Sequence, residues 1–178
     1  GMLIEAVHHM NHSSLCCGNI FGQEKNVVNS AIAKMNLFLH GASDFNIMQG
    51  DTLRNPKILQ GGEVAKFDCV IANPPFSLEK WGSVEWSSDK YGRNIWGTPS
   101  DSCGDYAWIQ HMIASMAPGK GRMAVVMPQG VLFRGNEEGR IREKLVKSDM
   151  VEAVVTLGDK LFYGTGLSPC FLIIRKMK

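Results

Sequence analysis

The feature that most constrains the fold is a short apolar run that is followed at once by two prolines. The run covers residues 67–72, and the segment Asn73-Pro74-Pro75-Phe76 comes directly after it. A run this short, with β-branched residues at its centre, is typical of a buried parallel strand. Proline cannot donate a backbone hydrogen bond and disfavours a helical residue before it, so the chain must leave the sheet there. The sequence therefore predicts a stiff loop at the carboxyl end of a strand, where open α/β sheets bind ligands.

The residues of this segment suit the recognition of a planar amino group. The side-chain amide oxygen of Asn73 accepts hydrogen bonds, and the carbonyl oxygen of Pro74 is a second acceptor that the ring holds in place. Phe76 supplies a flat apolar face that can stack on the base carrying the amino group. A plain turn with a buried phenylalanine remains the alternative for this segment taken alone.

The bulk composition is that of an ordinary soluble globular protein. The 178 residues are enough for one domain with a sizeable core, and 44% of them are hydrophobic and 20% charged. A formal net charge of +2 neither indicates nor excludes binding to nucleic acid. No apolar run approaches the roughly 18 residues that a membrane span requires, and no signal peptide is recognisable. We therefore expect a cytoplasmic protein that makes no membrane contact.

Cysteine and histidine spacing favours neither a disulfide framework nor a metal site. The five cysteines contain no CxxC pair and are odd in number, which indicates reduced, mostly buried thiols. His8 and His12 lie one helical turn apart and could chelate a metal, but no convincing third ligand accompanies them. We predict that the protein has no metal site.

Hydrophobic periodicity predicts strands that alternate with helices. Strands are expected at residues 18–24, 45–48, 123–127, 151–157 and 170–174, and helices at residues 3–10, 28–39 and 105–117 and from residue 136. The second helix would carry an apolar stripe of Val28, Ile32, Met35 and Leu39. Asn136 would cap the last helix. This alternation predicts an α/β fold with a mostly parallel sheet.

Two acidic residues fall at the ends of predicted strands. Glu24 ends the strand at residues 18–24 and could accept hydrogen bonds from ribose hydroxyls. A solvated glutamate at the start of the next helix fits that position equally well. Asp51 follows the next strand and could accept a hydrogen bond from the amino group of a bound adenine, although a turn-forming aspartate is an equal alternative.

Residues 77–104 show no sustained helical or strand period, and a loop of this length is usually functional or disordered. Four large aromatic residues lie in it, namely Trp81, Trp86, Tyr91 and Trp96. Beside Lys90 and Arg93 they could stack on the bases of a nucleic acid. Alternatively, the tryptophans pin the loop to the body of the domain, and the sequence leaves both interpretations open.

Several segments together resemble the modification (methylase) subunit of type I restriction-modification systems, an adenine-N6 DNA methyltransferase. The tetrapeptide Asn73-Pro74-Pro75-Phe76 resembles the catalytic segment of amino-methyltransferases that use S-adenosylmethionine. The more specific segments are Leu-Phe-Arg-Gly within residues 130–135 and Phe-Tyr-Gly-Thr-Gly within residues 161–166, and residues 22–24, 50–53 and 105–108 also match. The family usually continues from Gly166 with Ile-Pro, whereas Leu167-Ser168-Pro169 follows here.

The resemblance implies a Rossmann-like S-adenosylmethionine-dependent methyltransferase fold. In that family the first strand and the glycine-rich cofactor loop would precede residue 1. Residues 1–178 would then be a single methyltransferase catalytic domain, as a fragment without that loop and with the first strand missing. We expect the isolated fragment to be inactive and to bind S-adenosylmethionine weakly or not at all.

The resemblance also implies roles for individual residues. Asn73, Pro74, Pro75 and Phe76 would be catalytic, and Glu24 and Asp51, together with Asn73, would bind S-adenosylmethionine. The full enzyme would methylate an adenine flipped out of DNA, in a complex with separate specificity and restriction subunits.

Two other classes of function stay open on the sequence. A methyltransferase that acts on RNA or on protein glutamine uses a similar tetrapeptide. A non-catalytic fragment that folds and docks to partner subunits is the second alternative.

Overall fold

The structure is a computed structural model that describes residues 1–12, 20–158, 160–162 and 166–176. These residues group into two compact units, residues 1–61 and 62–178. The prediction of a single catalytic domain over residues 1–178 stays a prediction. None of the described helices is long and apolar enough to cross a membrane.

The first unit alternates helices and strands. Its elements are α1 (Met2–His12), β1 (Ile20–Glu24), α2 (Val27–Leu39), β2 (Phe45–Gln49) and β3 (Leu59–Gln60). Strands β1 and β2 are parallel, with Glu24 opposite Gln49. Because both strands point the same way, Glu24 and the turn after Gln49 lie at one edge of this sheet. A small core of Ile4, Val7, Leu37 and Ile47 holds the unit together.

Helix α2 buries a different face from the one that its periodicity predicts. Val28, Ile32, Met35 and Leu39 are between 50% and 70% exposed, while Leu37 on the opposite side is buried. The helix is apolar on two sides, and the narrower side, with small residues beside Leu37, packs on the unit's core. The predicted apolar stripe at these four positions is present, but it does not face the core of this unit.

The second unit contains the remaining strands. Its elements are β4 (Glu63–Val64), β5 (Cys69–Ala72), α3 (Ser83–Ser87), α4 (Asp105–Ala114), β6 (Arg122–Pro128), a 3₁₀ turn (Gln129–Leu132), α5 (Asn136–Lys147), β7 (Val151–Thr156) and β8 (Pro169–Arg175). Four strands form one sheet in the order β5-β6-β8-β7. Strands β5 and β6 are parallel, and β8 is antiparallel to both β6 and β7. Three of the four strands thus run in one direction, as the prediction of a mostly parallel sheet requires.

The core of this unit lies between the sheet and helices α4 and α5. It includes Ile109 and Met112 of α4, Val125 of β6, Ile141 of α5 and Ile174 of β8. Strand β5 is less buried than predicted, since Cys69 is exposed and Val70 to Ala72 are half-buried. The reason is that β5 is the edge strand of this sheet.

The start of helix α5 differs from the prediction. Helix α5 begins at Asn136, but Gly135 occupies the cap position, so the predicted asparagine cap was wrong.

Cys103 and Cys170 are buried free thiols and Cys69 is an exposed one. Cys16 and Cys17 lie outside the described residues.

The segment between residues 77 and 104 is tied to the second unit by its aromatic residues. Trp81 and Trp86 are buried and pack edge to face, with ring centroids 5.5 Å apart. Arg93 is also buried, lies 4.5 Å from the ring centroid of Trp86 and forms a 2.6 Å ion pair with Asp89. Trp96 packs against the core of this unit, so of the two interpretations left open the structure shows that a tryptophan holds the segment to the body of the domain.

Candidate active site

The segment Asn73–Phe76 leaves the sheet where the sequence predicts. Strand β5 ends at Ala72, which lies opposite Val125, while β6 continues to Pro128. Asn73 is exposed directly after the strand, and Pro74 is buried. The buried ring anchors the loop, and the asparagine side chain is left accessible to a ligand.

The ring of Phe76 is half-buried and has an aromatic neighbour. The ring centroids of Phe76 and Phe162 are 6.3 Å apart and the ring planes are at 87°. Phe162 belongs to the 161–166 segment that carries part of the resemblance, of which residues 163–165 lie outside the described residues. The sequence identified that segment but gave Phe162 no role.

The end of the loop is held by the start of helix α4. Ser77, next to Phe76, has a φ of 49°. Its N–H donates to Oδ1 of Asp105 at 2.8 Å. One residue further, the carbonyl of Leu78 accepts the N–H of Gly104 at 2.9 Å. Two successive hydrogen bonds therefore fix where the chain goes after Phe76.

Asp105 is fully buried and belongs to an ion network around Arg134. Nη2 of Arg134 donates to Oδ2 of Asp105, and Nη1 donates to Sγ of Cys103 at 2.8 Å. Nε of Arg134 lies 3.0 Å from Oε2 of Glu138. The side chains of Cys103, Asp105 and Glu138 are of types that can bind metals, and their potential ligand atoms lie within 4.8 Å of one another. The guanidinium of Arg134 already supplies the positive charge among them, so we assign no metal to this cluster.

Burial raises the pKa of two side chains next to Arg134, those of Cys103 and Glu138. Burial raises the pKa of the Cys103 thiol to about 11, and the carboxylates of Asp105 and Glu138 contribute in the same direction. The thiol is therefore protonated at neutral pH and can donate to Oε1 of Glu138, 3.3 Å away. Burial also raises the pKa of Glu138, and Arg134 only partly offsets this effect.

Gly130 makes room for the guanidinium of Arg134. A Cβ at Gly130 would lie 2.8 Å from Nε and 3.2 Å from Cζ of Arg134. On the other side, the carbonyl of Arg134 accepts a 2.6 Å hydrogen bond from Nη1 of Arg142. The segment 130–135, which the sequence singled out only by resemblance, is thus shaped around this arginine.

In the first unit, Glu24 and Asp51 lie at the ends of adjacent parallel strands, as predicted. The N–H of Gly50 donates to the carbonyl of Glu24 at 3.0 Å, which links the two strand ends. Oε1 of Glu24 accepts the N–H of Asn26, the cap of α2, at 2.8 Å. Glu24 therefore lies at the end of a strand, and its carboxylate also accepts a hydrogen bond at the start of helix α2, so it combines the two positions that the sequence allowed.

The carboxylate of Asp51 is more fully engaged. Oδ1 accepts the N–H groups of Leu53 and Arg54, so the turn-forming role is observed. Oδ2 pairs with Nζ of Lys25 at 2.9 Å. Burial tends to raise the pKa of Asp51, but the bonds and charges of Lys25 and Arg54 outweigh it and lower the pKa overall.

The two acids differ in how readily they could hold a cofactor. Oε2 of Glu24 takes no part in the bond to Asn26, so it suits a ribose hydroxyl donor. Oδ2 of Asp51 pairs with Lys25 but has a second lone pair, which can accept from an adenine amino group. Both acids therefore fit the nucleoside part of S-adenosylmethionine.

Comparison with known proteins places the whole chain in one group. A family model described as N-6 DNA Methylase matches residues 1–178. The type I restriction enzyme MjaVII methylase subunit of Methanocaldococcus jannaschii is 33% identical, over 99% of this chain and 31% of its own length. The HindI methylase subunit of Haemophilus influenzae is 31% identical, over 90% of this chain and 35% of its own length. The chain thus spans about a third of these curated relatives.

Solved structures give the same result. The type I restriction-modification methyltransferase subunit from Streptococcus thermophilus superposes with a TM-score of 0.86 at 30% identity, over 97% of this chain and 37% of that one. The type I restriction enzyme EcoKI M protein gives a TM-score of 0.69 at 28% identity, over 98% and 37%. This likeness confirms the predicted Rossmann-like methyltransferase fold.

Proposed function

Because the chain belongs to the N-6 DNA methylase family, we propose that it carries the catalytic segment of an adenine-N6 DNA methyltransferase. The observation that carries the proposal is the segment Asn73–Phe76, with an exposed asparagine, an anchored proline and a half-buried aromatic ring at the end of a strand. The substrate is an adenine in DNA, and the methyl donor is S-adenosylmethionine.

The reaction needs an amino group that is correctly placed rather than a strong base. The side-chain oxygen of Asn73 and the carbonyl of Pro74 accept the two hydrogens on N6 of the adenine. These two bonds direct the nitrogen lone pair away from the acceptors, toward the methyl group. S-adenosylmethionine, when bound, would supply that methyl group from a positively charged sulfur, which would leave as a neutral thioether when its bond to the methyl group breaks, while N6 would release one proton to water. Positioning of this kind can account for several orders of magnitude in rate.

The ring of Phe76 binds the flipped base. Taking an adenine out of the DNA stack costs a few kcal/mol, which a new stacking contact offsets in part. Base stacking on an aromatic side chain contributes about 1–3 kcal/mol. The edge contact with Phe162 restrains the tilt of the ring before the base arrives.

Glu24 and Asp51 hold the nucleoside part of S-adenosylmethionine in this proposal. Oε2 of Glu24 accepts from the ribose hydroxyls, and Oδ2 of Asp51 accepts from the adenine amino group beside its ion pair with Lys25. Asn73 is the third predicted cofactor contact. Each acid would form charge-assisted hydrogen bonds, which are stronger than bonds between neutral groups.

The partners follow from the names of the relatives. Those relatives are methylase subunits of type I restriction enzymes. We propose that this protein also assembles with specificity and restriction subunits. The near-neutral net charge of +2 agrees with a division of labour in which a separate subunit selects the DNA sequence.

The test is methyl transfer by the full-length gene product, together with whatever subunits copurify with it. Labelled S-adenosylmethionine is supplied with duplex DNA free of methyladenine, with RNA of the same sequence, or with a glutamine-containing peptide. We expect N6-methyladenine in DNA, and a loss of at least about 100-fold in rate for Asn73→Ala. Asn36→Ala, at an exposed asparagine of α2, is the matched control.

Each other outcome rejects the proposal in a defined way. Label in RNA or in the peptide, but not in DNA, would identify the alternative methyltransferase classes. Absence of transfer to all three substrates, with S-adenosylmethionine binding also absent, would indicate a non-catalytic subunit. Equal activity of Asn73→Ala and Asn36→Ala would remove Asn73 from the catalytic site.

A further inference from the structure

We infer that Asp105 and Arg134 form a clamp that positions the catalytic segment Asn73–Phe76, with Asp105 acting on the backbone of Ser77 and Arg134 acting through Asp105. Neither residue touches the substrate in this inference. It rests on the proposed function for its catalytic consequence, and on the hydrogen bonds described above for the clamp itself.

The first step is the bond between Asp105 and Ser77. The φ of 49° at Ser77 is uncommon for a residue with a Cβ, so the loop needs a contact that favours it. The N–H of Ser77 finds a carboxylate oxygen at 2.8 Å, and hydrogen bonds to charged acceptors are the stronger ones. Because Ser77 directly follows Phe76, this bond fixes the end of the loop that carries the stacking ring.

The second step is the control of the Asp105 carboxylate by Arg134. Oδ1 bonds Ser77 and Oδ2 bonds Nη2 of Arg134, so the two oxygens have different partners and the carboxylate cannot rotate freely. Asp105 is fully buried, and a buried charge without a partner is strongly unfavourable. Removal of the guanidinium would therefore force Asp105 to move or to admit water.

The third step is the way in which Arg134 itself is held. Its guanidinium reaches Cys103 and Glu138 as well as Asp105, and Gly130 leaves the space in which it lies. The planar fork of arginine can make these contacts together, whereas the single ammonium of lysine cannot. This difference makes Arg134→Lys an informative change, because it keeps the charge and loses the geometry.

A second buried ion pair in the same unit provides a control for stability. Asp89 and Arg93 pair at 2.6 Å, and both side chains are buried. The Arg93 side chain donates to Asp89 and lies 3.3 Å from Nδ1 of His111, and both of these contacts are to residues outside 73–78. Arg93→Lys should therefore weaken the fold in a similar way without releasing the catalytic segment.

Two measurements on the full-length gene product test the clamp. The first is amide hydrogen exchange of the peptide that covers residues 73–80. We expect exchange in Arg134→Lys and in Asp105→Asn to be at least about tenfold faster than in the unaltered protein, with no such change there in Arg93→Lys. This readout does not depend on activity, and Arg134→Lys remains informative if Asp105→Asn does not fold.

The second measurement is the single-turnover rate of methyl transfer to DNA, together with the Kd values for S-adenosylmethionine and DNA. We expect Arg134→Lys to lower the rate at least about tenfold and to leave S-adenosylmethionine binding within about threefold. Arg93→Lys should keep the rate within about twofold for the folded fraction.

The possible failures are distinguishable. Unchanged exchange of residues 73–80 in Arg134→Lys would overturn the clamp, whatever the enzyme methylates. Faster exchange with an equal loss of rate in Arg134→Lys and Arg93→Lys would overturn its catalytic role. Faster exchange in Arg134→Lys, together with no methylation of DNA by the unaltered protein, would uphold the clamp and reject the proposed function.

Discussion

The ring of Phe162 stands edge-on to the ring of Phe76, with centroids 6.3 Å apart and planes at 87°. Aromatic pairs prefer this geometry, which brings the positive edge of one ring against the negative face of the other. Phe76 is the residue that we propose stacks on the adenine. Under that proposal, Phe162 restrains a ring whose tilt would matter for catalysis, although it lies 86 positions further along the chain.

We expect Phe162→Leu to lower the single-turnover rate of methyl transfer by about two- to tenfold, since an aromatic pair contributes about 0.5–1.5 kcal/mol. Leucine keeps the apolar character of the position and removes the edge contact. Phe38→Leu, at an exposed ring of α2, is the matched control and should leave the rate unchanged. Equal losses in the two variants would show that the ring pair has no specific role.

Glu24→Gln should weaken the binding of S-adenosylmethionine by about ten- to 100-fold, because a charged acceptor of the ribose hydroxyls becomes neutral. The change is isosteric, so the bond that Asn26 donates to Oε1 can persist. Calorimetry on the full-length gene product measures the Kd. Glu63→Gln, at an exposed position of β4, should bind as the unaltered protein does, and an equal Kd for Glu24→Gln would reject the cofactor role.

Local patterns in the sequence were sufficient to place the strand ends. The sequence shows a short apolar run followed by two prolines, and an acid after each of two earlier strands. These patterns predict which residues follow the ends of strands, and Glu24, Asp51 and Asn73 lie at such ends. Turn and strand chemistry act over a few residues, so a single sequence carries this information. The roles of these residues in binding stay predictions.

Contacts between distant segments could not be predicted in this way. Asp105 and Arg134 are separated by 29 positions, and no periodicity connects them. The reversed direction of β8 is equally invisible, since an apolar run carries no sign of its direction. Helix α2 shows a third limit, because an apolar stripe at helical spacing does not say which of two apolar sides the rest of the fold will cover.

The pH dependence of stability should depend on His111. Burial lowers the pKa of this imidazole to about 3, and the neighbouring guanidinium of Arg93 acts in the same direction. The unfolded chain takes up a proton near the ordinary pKa of about 6.5, whereas the folded protein does not. The free energy of unfolding should therefore fall as the pH drops below 6.5 and should not change on this account above it.

Denaturant unfolding at several pH values between 5 and 8 measures this effect. His111→Asn removes the titrating group. The free energy of unfolding should therefore depend less steeply on pH between pH 5 and 6.5, by an amount that corresponds to the uptake of up to about one proton on unfolding. The variant is expected to be less stable at every pH, because Nδ1 of His111 lies 3.3 Å from Nη1 of Arg93 and the contact is lost. An unchanged slope would show that His111 takes up its proton in the folded state.

Gly130→Ala tests the space that Arg134 requires without altering any charge. The new Cβ would lie 2.8 Å from Nε of Arg134, closer than real Cβ atoms approach other atoms, so the guanidinium must shift. That shift weakens the bond to Asp105, and with it the hold on Ser77. We expect the single-turnover rate to fall about as much as in Arg134→Lys, by tenfold or more, while S-adenosylmethionine binding is kept. Gly158→Ala is the control, since its Cβ would meet no atom of the described residues within 4 Å. A full rate in Gly130→Ala would mean that the catalytic segment tolerates displacement of Arg134, and that the clamp is looser than its hydrogen bonds suggest.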